Sequence, residues 1–178
     1  MPLVWMTLRK RSEPKMEKQF PRIICDPDKC VCCGDCEMAC SMTKHQVFNP
    51  SLARIRTMRI EPIVMLAVGC KACADAPCVL ACPRNALTQD PEKGIILVDQ
   101  EMCDGCGWCI EACDFGAILL NPATKRVEIC DHCADEEEPQ CVKFCKKEAL
   151  TLAVPETASQ QVRKDAVTRL LQELVTGK

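Results

Sequence analysis

The chain has 178 residues, 18 of them cysteine, with four Phe, two Trp and no Tyr, so conventional packing supplies only a modest core. Its 23 basic and 25 acidic side chains leave a charge of −2 at pH 7 before any thiolate is counted. Thiolates bound to metal make the chain more negative still, which argues against a nucleic-acid phosphate backbone as partner, and the longest apolar stretch, Ile63 to Gly69, is far short of the ~20 residues of a membrane span.

In chain order, Met1 to Lys10 holds only a short apolar stretch, broken by Thr7 and closed by Arg9, Lys10 and Arg11. That is not a secretory leader, so a cytoplasmic, thiol-preserving compartment is expected and a disulfide scaffold is set aside. Residues 1–21 read as an extended tail of mixed charge, suited to wrapping a partner. Cys30, Cys33, Cys36 and Cys40 follow with the spacing C-x2-C-x2-C-x3-C. From His45 to Leu66 the chain carries a turn at Phe48-Asn49-Pro50-Ser51. Arg54, Arg56 and Arg59 then interleave with Ile55, Met58 and Ile60, a strand with one basic face. That face reads as a solvated edge, a docking strip for a larger subunit, or counter-charge for a metal centre.

The second tetrad, Cys70, Cys73, Cys78 and Cys82, is spaced C-x2-C-x4-C-x3-C and followed by Pro83. The third, Cys103, Cys106, Cys109 and Cys113, repeats the first spacing. The fourth, Cys130, Cys133, Cys141 and Cys145, has a longer central gap, Ala134 to Gln140, that is mostly acidic. Each tetrad predicts a loop carrying its first three cysteines and a helical turn carrying the fourth. Turn residues 90–94 separate Leu87 from a strand at Ile95 to Val98, and residues 121–125 separate Ile118–Leu120 from Val127–Ile129, predicting two hairpins. Ala158 to Val175 predicts an amphipathic helix with Val162, Ala166, Val167, Leu170, Leu171 and Leu174 on one stripe, packed on its own domain or on a partner.

A cubane presents four irons at the corners of a tetrahedron. A C-x2-C-x2-C loop wraps three of them, and the fourth cysteine lies too far along the chain to close the same cube, so it serves a neighbouring cluster. Four such tetrads point to four [4Fe–4S] clusters. An oxidised core with its thiolates adds about −2 per site, taking the loaded chain to about −10. All-cysteine zinc is the competing chemistry, strongest at the interrupted fourth tetrad. Cys25 and Cys32 are left over and read as small apolar fillers. His45 reads as a helix-end residue, His132 as a hydrogen-bond donor to a sulfur, and Trp108 as a shield against water beside Cys109. No phosphate loop, nucleophile–base pair or flavin fingerprint is visible, so no catalytic residue is assigned.

Over residues 22–154 the order of tetrads resembles the four-cluster ferredoxin subunits of molybdenum and tungsten oxidoreductases. The stretch from Cys40-Ser41 through Phe48-Asn49-Pro50-Ser51-Leu52-Ala53-Arg54-Ile55 is similar to the small subunits of aldehyde ferredoxin oxidoreductase-type tungsten enzymes, including tungsten-dependent benzoyl-CoA reductase. The resemblance implies that the first motif pairs with the fourth and the second with the third. Cys30, Cys33 and Cys36 would share a cluster with Cys145, and Cys130, Cys133 and Cys141 with Cys40. Cys70, Cys73 and Cys78 would share one with Cys113, and Cys103, Cys106 and Cys109 with Cys82. The family pattern places proline after the fourth cysteine, which holds here only at Cys82; Cys40, Cys113 and Cys145 are followed by Ser, Asp and Lys.

The expected fold is therefore α+β: two nested ferredoxin-like bicluster modules with an extended N-terminal tail and a C-terminal helix. The outer module takes residues 22–61 plus 119–154, the inner one 62–118, and the helix 155–178. The expected role is non-catalytic electron transfer between a large tungsten- or molybdenum-pterin subunit and a further redox protein. A free polyferredoxin shuttle and a zinc-stabilised interaction module are the alternatives.

Overall fold

The computed structural model describes residues 19–60 and 64–176, so the expected N-terminal tail lies almost wholly outside the described residues. The elements are β1 (Arg22–Cys25), α1 (Asp35–His45), β2 (Arg56–Ile60), β3 (Val64–Val68), α2 (Pro77–Leu80), β4 (Leu87–Gln89), β5 (Ile96–Val98), α3 (Trp108–Glu111), β6 (Ile118–Leu120), β7 (Val127–Ile129), α4 (Gln140–Lys143), β8 (Leu150–Ala153) and α5 (Pro155–Thr176).

The strands form four antiparallel pairs. Three are local hairpins, β2–β3, β4–β5 and β6–β7. The fourth joins the two ends of the cysteine-bearing region: β1 lies on β8, with Arg22 opposite Ala153 and Cys25 opposite Leu150. The sequence turns explain the two predicted hairpins. Asp90 Oδ1 accepts from the amides of Glu92 and Lys93, and Asn121 Oδ1 from those of Ala123 and Thr124, the Asx geometry that closes tight loops. Gly94 has a positive φ and packs so closely on Phe20 that a Cβ there would strike the ring.

The helices follow the same division: α1 packs against α4, and α2 against α3. Only α1 is long enough to carry both a third and a fourth cysteine, Cys36 and Cys40. This corrects the expected common plan. In α2, α3 and α4 a single helical turn holds Cys78, Cys109 or Cys141, and the fourth cysteine lies just beyond its end. There Cys82, Cys113 and Cys145 donate their amides to Val79, Ile110 and Val142 at 3.1–3.2 Å, a tightened turn that finishes each helix.

The core between these elements mixes aliphatic side chains with thiols: Ile23, Ile55, Leu87, Ile96, Val127, Ile129 and Leu150 surround buried cysteines of all four tetrads. The last helix begins at Pro155, where the C-terminal segment was expected to start. Val162, Val167, Leu170, Leu171 and Leu174 on it are all more than half exposed. Of the two expectations for this helix, packing of that stripe on its own domain is not what the structure has.

Candidate metal centres

The C-x2-C loops share a backbone device. The residue just before the second cysteine of each tetrad, Cys32, Ala72, Gly105 and His132, is left-handed, with φ between 47° and 65°. Only Gly105 adopts this without a Cβ penalty. Lys125 leaves no alternative there, because its carbonyl would collide with a Cβ at Gly105. The leftover Cys32 is thus the turn residue of the first loop. Its Sγ bonds the Met58 carbonyl at 3.2 Å.

A second device recurs after each short helix. Asn85, Gly116 and Glu148 are left-handed. The next amide then reaches back to the fourth cysteine: Ala86 to Cys82 Sγ at 3.3 Å, Ala117 to Cys113 at 3.4 Å and Ala149 to Cys145 at 3.3 Å. Cys40 receives its amide from Arg54 at 3.3 Å. Each fourth cysteine therefore accepts an N–H bond that favours a thiolate.

The side chains gather across the tetrads. Cys30, Cys33 and Cys36 line a narrow pocket with Cys145. Cys70, Cys73 and Cys78 line a wider one of about 340 Å³ with Cys113, and Cys103, Cys106 and Cys109 a narrow one with Cys82. The remaining four are also neighbours: Cys141 senses the charge of Cys130, Cys133 and Cys40.

Four of the buried thiols resist ionisation. Burial pushes Cys36 and Cys130 up to about 12 and Cys78 to about 11, and it drives Cys141 up as well. Nearby sulfur charges add to the effect at Cys78 and Cys141. Only a cation among the sulfurs makes such a set of thiolates tenable. The residues present thus fit a metal-bearing group: four sulfurs around a space, with amides aimed at the sulfurs.

A partly buried ionic network flanks Cys130 and Cys133. Arg54 spans two carboxylates, Glu128 at 3.2 Å and Asp131 at 3.1 Å. Lys44 joins Asp131 at 2.8 Å, while His45 at 2.9 Å and Asn121 at 2.7 Å hold Glu128. Burial would raise both carboxyls. For Glu128 the Asn121 bond with Arg54 and His45 reverses this, and for Asp131 Lys44 with Arg54 does so; both end below their usual range. The basic strip is therefore not one face. Arg54 is internal counter-charge, and Arg56 is tied to the carbonyls of Pro50 and Ser51.

Three minor expectations change. His45 does end α1, and it also joins the network. The His132 ring bonds the Cys70 carbonyl at 3.1 Å and not a sulfur, linking the fourth loop to the second. Trp108 is 66% exposed and so shields little. The network itself was invisible in sequence, because its partners lie up to 87 positions apart.

Among known proteins, the pattern of the 4Fe-4S dicluster domain matches residues 62–154. The polyferredoxin-like subunit of an aliphatic sulfonate oxidoreductase from Pyrococcus furiosus is 40% identical over 124 residues, 69% of this chain and 70% of that one. The thiosulfate reductase electron transfer subunit PhsB of Salmonella typhi is 34% identical over 137 residues, 70% and 71% of the two chains. Among solved structures, the active-site complex BamBC of benzoyl-coenzyme A reductase with 1,5-dienoyl-CoA aligns at a TM-score of 0.45 and 25% identity over 76% of each chain. The chain belongs to the 4Fe-4S dicluster ferredoxin family.

Proposed function

We propose that this chain is a non-catalytic electron-transfer subunit. Its sixteen tetrad cysteines hold four [4Fe–4S] clusters in two nested bicluster modules. The observation that carries the proposal is the crossing of ligand sets: cavities lined by three cysteines of one tetrad and the last of another. When bound, the clusters supply one-electron redox chemistry; the chain's part is to hold, space and insulate them. The nesting is supported by the β1–β8 pairing and by α1 packing on α4 around an α2–α3 pair.

In this reading the row runs in one order. The site of Cys30 neighbours that of Cys130, since Cys141 senses Cys36. The site of Cys130 neighbours that of Cys70, since Cys130 senses Cys70 and His132 bonds its carbonyl. The site of Cys103 follows, sharing the α2–α3 pair. The two ends of this row carry the exposed cysteines, Cys33 and Cys106, as entry and exit points require. Clusters are favoured over zinc by the repeated tetrad spacing and by the 4Fe-4S dicluster family of the chain. The partner at one end is a large tungsten- or molybdenum-pterin subunit, a reading that rests on the family resemblance and on relatives named as oxidoreductase subunits. The other partner is a further redox protein. No helix among the described residues is long and apolar enough to cross a membrane, and we place the complex in the cytoplasm.

Anaerobic purification tests this. Iron and sulfide should each come near sixteen per chain, with an EPR spectrum of coupled clusters on reduction and a co-purifying pterin-containing subunit. About twelve irons with one zinc would assign zinc to the site of Cys130, Cys133, Cys141 and Cys40. A colourless zinc protein would overturn the reading, and a fully active solitary monomer would reduce it to a free shuttle.

A further inference from the structure

Within each proposed module, neighbouring sites share a short run of peptide. Cys36 and Cys40 sit on α1 and serve the first and fourth sites. Cys78 with Cys82, and Cys109 with Cys113, run between the second and third sites along one helical turn and its end. The step from the fourth site to the second is different. No tetrad gives a cysteine to both, so this step crosses between modules without a shared run of chain.

Two ligand loops meet there instead. Gly69, just before Cys70, lies against Cys130: a Cβ added to it would stand 3.6 Å from Cys130 Sγ, ordinary van der Waals contact. His132, between Cys130 and Cys133, is 8% exposed, and its Nε2 lies 3.1 Å from the Cys70 carbonyl. A carbonyl only accepts, so Nε2 carries the proton and the ring donates. His132 is left-handed, with φ of 54°, at the position that Cys32, Ala72 and Gly105 hold in the other loops. Ala72 and Gly105 have no polar side chain, and the Cys32 thiol turns to the Met58 carbonyl on β2. The loop behind the ring is braced. Asp131 is held by Lys44 and Arg54 and accepts the Cys133 amide at 3.1 Å. Electronic coupling decays more slowly along bonds and hydrogen bonds than across a gap between unbonded atoms. From Cys133 through the His132 ring to the Cys70 carbonyl and on to the Cys70 side chain, a single hydrogen bond is the one non-covalent link.

We propose that His132 is the positioning residue of the step between the modules. Its Nε2–H bond to the Cys70 carbonyl fixes the two loops and carries the coupling along which the reduced cluster of one site loses an electron and the oxidised cluster of the other gains it. This role rests on the cluster occupancy proposed above, and iron and sulfide counts on the wild type test that occupancy separately. The experiment is flash photoreduction of the anaerobically purified, fully loaded protein. Freeze-quench EPR follows the electron among the clusters, and an equilibrium redox titration and an iron count accompany every variant. His132→Leu fills the space without a donor, and His132→Gln sets an amide N–H in place of Nε2–H. The leucine variant should slow the slowest phase of redistribution about tenfold, the lower end of what losing an outer-shell partner costs, at unchanged iron content and unchanged potentials. The glutamine variant should restore most of the rate. A wild-type rate in the leucine variant would overturn the assignment. So would a glutamine variant as slow as the leucine one, or a slowing matched by a shift of potential, since driving force and not coupling would then be the cause. If His132→Leu binds less iron, His132→Asn replaces it, because its shorter amide stops short of the carbonyl. Slow transfer in the asparagine variant beside near wild-type transfer in the glutamine variant upholds the role; equal rates, or iron lost from the glutamine variant too, reject it.

Discussion

The second and fourth cysteine sites touch each other, yet they meet water in opposite ways. Cys40, Cys130, Cys133 and Cys141 are 4–6% exposed and are braced by Arg54, Lys44, Glu128 and Asp131. Cys70, Cys73, Cys78 and Cys113 line a pocket of about 340 Å³, and Cys73 and Cys113 are only half-buried. The same ligand chemistry is thus offered two dielectric environments. Adding an electron to the fourth site puts charge where little water can answer it, so its cluster should be reduced at a more negative potential than the second. The difference teaches that the interrupted fourth tetrad, the least regular in sequence, builds the most protected site.

The largest effect tests what the sites share. Stripping iron anaerobically should abolish the cooperative unfolding transition and most of the near-ultraviolet signal, because thiol-lined cavities replace a conventional core and binding energy is folding energy. An apo protein that melts like the loaded one would remove this account. The next test separates the sites. Cys130→Ser should lose about four irons and disturb its neighbour through Cys70 and His132. Cys73→Ser, at the open site, should leave the other three clusters intact. Iron counts and EPR read both, and equal damage from the two variants would erase the contrast.

Much of this was legible in sequence. The tetrad spacings mark the loops, and β6 and β7 occupy the expected residues. The rest depends on backbone and distance. Left-handed turns at Cys32, Ala72 and His132 carry no glycine, so the repeat shows only when φ is known. Val64–Val68 reads as apolar chain, but its role as the β2 partner needs the fold. Asp131 and Glu128 look like surface acids until Arg54, 77 and 74 positions away, reaches them. Sequence spacing marks the turns and helix ends that present the cysteines, because those features are local. It cannot report ion pairs closed by tertiary contact.

A milder break of the contrast uses two arginines. Arg54→Met takes one charged partner from each of Glu128 and Asp131, which keep His45, Asn121 and Lys44, and should cost on the order of 2 kcal/mol for the lost charged hydrogen bonds. Arg84 pairs with Asp104 at 2.9 Å beside the third site, with both side chains 57% exposed. Arg84→Met should cost about 0.5 kcal/mol or less. Anaerobic denaturant melts at fixed iron content compare them. Similar losses would mean the fourth site is not braced as described.

The smallest effect lies on the acid side. Glu128 is held below its usual range, burial being outweighed by Asn121, Arg54 and His45. A carboxyl depressed in the folded state stabilises above its unfolded pKa. That contribution disappears as pH falls through the folded value, when both states are protonated. Glu128→Gln should therefore lower stability at pH 7 and flatten the loss of stability below about pH 4.5, the ordinary glutamate value. Asp131 remains titratable in this variant and is depressed in the same direction, so the flattening is partial. Melts of wild type and variant taken from pH 7 to well below the ordinary glutamate range should converge on acidification. Parallel curves would show that the Glu128 charge contributes nothing to the protected site.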